Sequence, residues 1–263
     1  MGPVIQSLAL PPIPSCRRIL GVNFFTGSLN DAVERAIMEG GLVVAPSAPG
    51  LADDLVRSSA YRHALQSADL VLTDSGFMVL LWDWLTGERL PRHSGLKFMR
   101  AVLARPELRI PGAVFWIMPS AEEDARNRAW LNAHGFPVTA EDVYIAPYYS
   151  PRMIEDAGLV RRIEQRRPRI VMLAIGGGVQ ERLGATLRDQ LSYRPGILCL
   201  GAAIAFLTGS QTAIPPWADR CLLGWLLRLI SNPRRFWRRY WMALRLAPLL
   251  WRYREHTPPL AKS

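Results

Sequence analysis

The sequence predicts an α/β protein: a Rossmann-like parallel sheet covered by helices on both faces, followed by a basic C-terminal helical appendage. Three observations lead there. Short continuous apolar runs recur, among them LVVAP (42–46), GAVFWIM (112–118), RIVMLAIGGG (169–178) and GILCLG (196–201). Amphipathic stretches separate them, and strands that are apolar throughout belong to parallel sheets buried between helical layers. Finally, the composition changes after Pro215-Pro216: nine arginines and no Asp or Glu stand between Arg220 and Arg254, which accounts for almost all of the net charge of +10. The chain is thus divided into an irregular N-terminal extension (1–18), a Rossmann-like unit (19–213) and a basic, Trp- and Arg-rich helical appendage (214–263).

Each element has a local reason. Ser28 caps a helix running to about Glu39, with Asp31 at its third position and Gly40-Gly41 to end it. LVVAP is a buried strand, and a helix is expected over 51–66. DLVLTDSG (69–76) is a strand ending in a polar turn, followed by an apolar helix over 77–86 that Gly87 stops. GAVFWIM runs into Ser120, with Glu123 three residues on, a second capping box; that helix ends near Gly135. DVYIA is a weaker strand. Ser150-Pro151 opens a helix with proline at its first position. RIVMLAIGGG carries the strongest strand pattern; a helix to about Leu191 and GILCLG close the series.

Composition narrows the setting. At 263 residues, 49% of them hydrophobic, the chain buries a substantial core. Its three cysteines, Cys16, Cys199 and Cys221, lack metal or redox spacing, which suits a reducing compartment. The N-terminus has no positive region and is broken by four prolines, unlike a signal peptide. No apolar run spans a bilayer. A cytoplasmic protein is expected, with any membrane contact peripheral.

In open α/β sheets, ligands bind beyond the carboxyl ends of the strands. Three stretches fall there: APSAPG (45–50), TDSG (73–76) and IGGGVQE (175–181). The triple glycine lets backbone approach a ligand, and the helix N-terminus after it favours phosphate; a plain strand-to-helix turn fits equally. The pattern is neither GxGxxG nor GxxxxGK[ST], so a standard dinucleotide site and a P-loop are both disfavoured. Asp74 fits a general base, or a cap for the helix starting at Phe77, the commoner use of Asp in such a place. Asp53 and Asp54 are expected on a solvated helix face. There is no D-x-D sequence, the four histidines are dispersed and no serine lies in G-x-S-x-G; no metal site or hydrolase of that kind is expected.

The appendage contains SNPRRFWRRYWMALRLAPLLWRYR (231–254). As a helix it gathers Trp237, Trp241 and Leu244 near one stripe, flanked by arginines. Tryptophan and arginine at the edge of an apolar face suit an anionic membrane surface, the first of three readings. A helix packed on the body with a solvated basic side is the second. Nucleic acid is the third, and no RNA or DNA module accompanies it, so no nucleic-acid partner is expected.

Taken together, these stretches resemble the TagA/WecG/CpsF glycosyltransferases (glycosyltransferase family 26), over about Ile19 to Tyr240. ILGVNFFTGSLNDAVERAI looks like the family's opening strand and helix. SADLVLTDSGFMVLLWDWLTGERLPRHSGLKFM is similar to A-D-L-V-L-P-D-G, a helix and then R-V-x-G. AIGGGVQE resembles G-x-G-x-P-x-Q-E, and CLGAAIAFLTG resembles G-V-G-x-x-F-D-F-x-x-G. IPPWADRCLLGWLLRLISNPRRFWRRY is similar to A-P-x-W…W-x-x-R-L…P-R-R-x-x-R-R-Y.

The resemblance implies an inverting, metal-independent transfer from a UDP-sugar to a lipid-diphosphate-linked sugar acceptor, with no cofactor, in the synthesis of a cell-surface polysaccharide. The enzyme would lie on the inner face of the cell membrane, with self-association as a family trait. Asp74 corresponds to the family's catalytic base and Arg92 to its R-V-x-G arginine. Ser47, Thr73, Ser75, Gly176, Gly177, Gln180, Glu181 and Gly201 fall in the substrate-binding loops. Arg228, Arg235, Arg238, Arg239, Trp237 and Trp241 belong to the segment that meets the membrane and the acceptor diphosphate. The chain departs from the pattern at Ser47 (Asn in the family), Ser75 (Gly), Lys97 (Asp), Gly178 (Pro), Ala205 (Asp) and Gly224 (Glu). Three acids are lost, which points either to another donor sugar or to a non-catalytic membrane-surface module of a polysaccharide assembly complex.

Overall fold

Among the described residues the apolar runs form eight strands: β1 (Cys16–Ile19), β2 (Val22–Phe25), β3 (Gly41–Val44), β4 (Leu70–Val71), β5 (Val114–Met118), β6 (Val143–Ile145), β7 (Ile170–Leu173) and β8 (Gly196–Cys199). The computed structural model describes residues 15–150, 154–201, 203–209 and 241–261. The strands make one sheet in the order β1-β2-β4-β3-β8-β7-β5-β6. All neighbours from β2 to β6 are parallel; only β1 runs against β2. The hairpin between β1 and β2 turns through Leu20 and Gly21, both with positive φ (50° and 77°), the backbone of a two-residue type I′ turn.

Helices follow as the crossovers of a parallel sheet require. They are α1 (Leu29–Met38), α2 (Leu55–Arg57), α3 (Ser59–Gln66), α4 (Gly76–Thr86), α5 (Gly95–Leu103), α6 (Ala121–Ala133), α7 (Ala157–Arg166), α8 (Val179–Gln190), α9 (Ala203–Leu207) and α10 (Leu246–Tyr253). Alternate strand residues serve opposite faces. Leu42, Val44, Val171 and Leu173 join Tyr61, Met78, Leu159, Leu183 and Leu246 on one side. Val43, Ile170, Met172 and Leu198 join Ala32, Phe98, Leu131 and Ala203 on the other. Both faces are therefore covered, as the continuous apolar runs predict. Helix α8 lies hard on the sheet at Gly184, where a Cβ would come within 2.7 Å of Cys199 Sγ and 2.8 Å of Leu42 Cδ1.

Several local expectations change. Cys16 to Arg18, placed by sequence in the irregular extension, form an edge strand with β2. The single helix expected over 51–66 is a π-helical turn (Gly50–Asp54), then α2, then α3, because Ser58 turns extended and caps α3 through Tyr61 N. The helix placed at Ser150-Pro151 begins at Ala157 instead, where Asp156 accepts from Leu159 N. Ser28 and Ser120 cap α1 and α6 as expected.

The end of the chain packs on the body. Leu246 and Leu250 of α10 are fully buried in the same cluster as Leu51, Leu55, Met78 and Trp82. The hairpin amides of Leu20 and Gly21 donate to the carbonyls of Arg254 (2.7 Å) and Glu255 (3.0 Å). Ala261 N donates to Val56 O at 2.7 Å. The expected boundary at 214, and with it Arg228, Arg235, Trp237, Arg238 and Arg239, lies outside the described residues.

Candidate active site

The loops after β3, β4, β7 and β8 meet at the carboxyl ends of these central strands. The centre is the loop after β4. Thr73, fully buried, donates from Oγ1 to Pro91 O at 2.5 Å and accepts from His93 N at 3.0 Å. His93 Nε2 lies 2.7 Å from Gly27 O. Burial chiefly, and the nearby Lys97, lower the His93 pKa, against the opposing pull of the Gly27 carbonyl. The segment 91–95 is thereby fastened across the end of β4.

Asp74 does not cap α4. Ser75 does, accepting from Met78 N at 3.1 Å, so the cap reading of Asp74 is replaced. Asp74 instead reaches across to α5, where its Oδ1 accepts from Gly95 N at 2.9 Å. A helix N-terminus favours a carboxylate there. Among the described residues Oδ2 accepts no hydrogen bond. Arg92 Nε donates to the main-chain oxygen of Asp74 at 3.1 Å, so this arginine stands beside the same loop. A Cβ on Gly95 would lie 3.5 Å from Ala45 Cβ, 3.7 Å from Leu200 O and 3.8 Å from Asp74 Oδ1. The ends of β3, β4 and β8 thus converge on one glycine.

The glycine loop after β7 joins this group through β8. Gln180 Oε1 accepts from Gly201 N at 2.7 Å, and Gln180 Nε2 donates to Glu181 Oε1 at 3.1 Å. Glu181 Oε2 accepts from Gly178 N at 2.6 Å. Gln180 and Glu181 are buried, and their side chains hold the loops' own backbone. Burial raises the Glu181 pKa to about 7, with hydrogen bonds from Gln180 and the backbone pulling the other way. Gly176 and Gly177 are exposed, and among the described residues beyond its chain neighbours nothing lies within 4 Å of a Cβ built on Gly176. These two glycines are the open part of the loop. Ser47 is half-buried, its Oγ a long 3.4 Å from Gly50 N.

The expected solvated face at Asp53 and Asp54 is corrected. Asp53 sits between Arg57 (3.0 Å) and Arg245 (3.7 Å). Asp54 lies under the glycine loop: a Cβ on Gly178 would meet its Oδ2 at 3.2 Å. Sequence reading also misses α5 and with it Gly95. The signal was there: Ser94 caps the helix, and Phe98, Met99, Val102 and Leu103 repeat at helical spacing. Among the described residues, no three His, Cys, Asp or Glu side chains gather as metal ligands.

Of the appendage residues named above, Trp241 is described, and it is exposed. Leu80 and Trp84 on α4 and Trp251 on α10 are exposed too, with the Trp84 and Trp251 rings 6.5 Å apart. Among the described residues no helix is long and apolar enough to cross a membrane.

Comparison with known proteins meets this geometry. The chain is 27% identical over 206 residues to the N-acetylglucosaminyldiphosphoundecaprenol N-acetyl-beta-D-mannosaminyltransferase of Bacillus subtilis (strain 168), covering 76% of this chain and 75% of that protein. The model of the Glycosyl transferase WecG/TagA/CpsF family matches residues 17–259. That match takes in every strand but the first residue of β1, and all four loops of the site: the chain belongs to the WecG/TagA/CpsF family and is a glycosyltransferase.

Proposed function

We propose that this enzyme transfers a sugar from a UDP-sugar to a polyprenyl-diphosphate-linked N-acetylglucosamine, with inversion at the anomeric carbon, during synthesis of a cell-surface polymer. The observation that carries the reading is Asp74: a carboxylate held by Gly95 N–H at the junction of three strand ends, with Oδ2 left to act. The B. subtilis relative's name supports the acceptor.

In this mechanism Asp74 takes the proton from the acceptor hydroxyl as that oxygen attacks C1 of the donor sugar. The bond from C1 to the UDP oxygen breaks as the new bond forms, and the electron pair leaves with UDP. Attack opposite the leaving group inverts C1. Arg92 and the open backbone of Gly176 and Gly177, at the start of α8, meet the phosphates. The step needs no metal, in keeping with the absent D-x-D sequence. The acids replaced at Lys97 and Ala205 remove negative charge near the site, which favours a donor other than N-acetylmannosamine. The exposed Trp84, Trp241 and Trp251, with the arginine-rich chain end, support a membrane surface beside α4 in this reading.

The test is UDP release across a panel of UDP-sugars, with detergent-solubilised polyprenyl-diphosphate-N-acetylglucosamine. Acceptor-dependent release is expected, unaffected by EDTA, with a loss of about 100-fold or more in Asp74→Asn. An Asp74→Asn enzyme as fast as wild type removes Asp74 from the chemistry.

A further inference from the structure

Glu181 is a buried carboxylate with a job in the backbone. It is 1% exposed, yet each of its oxygens faces a donor: Gly178 N–H on one side and the Gln180 amide on the other. Gln180 is fixed in turn, because its Oε1 must receive Gly201 N–H. Gly178 and Gly201 both have positive φ (86° and 59°), so their amides point where ordinary residues would not direct them. One chain of hydrogen bonds therefore runs from the loop after β7, through Glu181 and Gln180, to the loop after β8. Leu200, next along, abuts Gly95, whose amide holds Asp74.

We propose that Glu181 is a positioning residue of the transfer: its carboxylate locks the loops after β7 and β8 into the arrangement that receives the donor's diphosphate. The lock follows from the geometry; its link to a nucleotide diphosphate rests on the function proposed above.

The lock depends on charge. An ionised carboxylate accepts at both oxygens, whereas a neutral one carries a proton on one of them and meets a donor with a donor. Among the described residues, the titratable groups facing Glu181 are Asp54 from the π-helical turn, Tyr61 from α3 and Cys199 from β8, none of them a cation. Arg182, its neighbour on α8, donates to Gly178 O instead. Burial raises its titration to about pH 7 while the hydrogen bonds of the lock pull it down, so with Glu181 still enclosed, protonation gives up those bonds and the lock opens as pH falls below neutrality.

The experiment is hydrogen exchange on the full chain without ligand, read by mass spectrometry at peptides covering 175–181 and 199–204. Rates are corrected for intrinsic pH dependence, and UDP titrations run in parallel. In wild type both peptides are expected to be better protected at pH 8 than at pH 6, by up to about tenfold, the change in ionised fraction per pH unit below the pKa. Glu181→Gln places an NH2 against one of the two donors, and should leave both peptides poorly protected at either pH. Gln180→Ala should release 199–204 and spare 175–181. UDP affinity should follow protection in all three proteins. Protection that is independent of pH and unchanged by Glu181→Gln overturns the proposal. Protection that behaves as expected, without UDP binding, keeps the lock and removes the UDP-sugar reading instead.

Discussion

Gly95 donates its backbone N–H to Asp74 Oδ1 at 2.9 Å, from the first position of α5, across 21 residues of sequence. Among the described residues the carboxylate has no side-chain hydrogen-bond partner, so this contact fixes it. It also makes an unusual substitution informative. Proline is tolerated at a helix's first position, and Ser94 already has the φ and ψ (−69° and 143°) that a following proline requires. Gly95→Pro therefore preserves α5 while removing the donor and setting a ring carbon against Asp74 Oδ1. We expect turnover to fall about 100-fold, the usual result of misplacing a reacting group, with an unchanged circular dichroism spectrum. Near-normal turnover would mean that Oδ1 needs no anchor.

Thr73 carries a different load. Its hydroxyl is fully buried and serves both Pro91 O and His93 N. Thr73→Val keeps the shape and strands both groups. A buried unsatisfied group costs about 1–3 kcal/mol, so urea unfolding should show a loss of at least about 2 kcal/mol. Arg92 and His93 lie on the same segment, so turnover should fall as well.

Leu80, Trp84, Trp241 and Trp251 are large apolar side chains in contact with solvent, and α4, which carries two of them, begins one residue after Ser75. Trp84 is 75% exposed and Trp251 62% exposed, so replacing either removes little packing. Trp84→Glu and Trp251→Glu are each expected to weaken sedimentation with anionic liposomes by about tenfold, the worth of one buried large side chain, while leaving the melting temperature in place. Raising the salt should weaken wild-type binding, since the arginines of the chain end act over a Debye length. Unaltered liposome binding in both variants would move the membrane face elsewhere.

The sheet, its order of elements and the site loops were legible because they rest on local signals. Continuous apolar runs mark strands buried on both faces, and Ser28 and Ser120 sit where helices need caps. What was not legible depends on contacts distant in sequence. Nothing around Asp74 announces that its partner is Gly95, and its neighbour Ser75 competes for the same capping role. Glu181 looks like a ligand residue by motif, but the structure turns it inward to Gly178 and Gln180. Asp54 has the spacing of a solvated face, yet the crossover after β3 carries it beneath Gly178. At the chain end the packed helix, the second of the three readings, is what α10 shows; the arginines between Arg245 and Arg254 mask the burial of Leu246 and Leu250 and put a membrane surface first.

Glu181 also links stability to pH, in the opposite sense to most carboxylates. Burial raises its folded pKa to about 7, from an ordinary value of 4.5. Between those values the folded protein binds a proton that the unfolded chain does not. Its contribution to stability is therefore fully present below about pH 4.5 and is lost as pH rises through 7. The full window is worth up to about 3 kcal/mol. The range from pH 5.5 to 8 brackets this change, and Glu181→Gln measured over the same range subtracts what His93, whose pKa burial lowers, and every other group contribute. Glu181→Gln should flatten the stability profile there and be at least as stable as wild type at pH 8, where it lacks the buried charge. The lock between the loops runs the other way, since it requires the carboxylate. Wild type at pH 8 should thus be the less stable protein and the better binder of UDP, and at pH 6 the reverse. Urea denaturation beside UDP titration at both pH values checks this; if stability and affinity fall together, Glu181 is holding up the fold and not setting the loops.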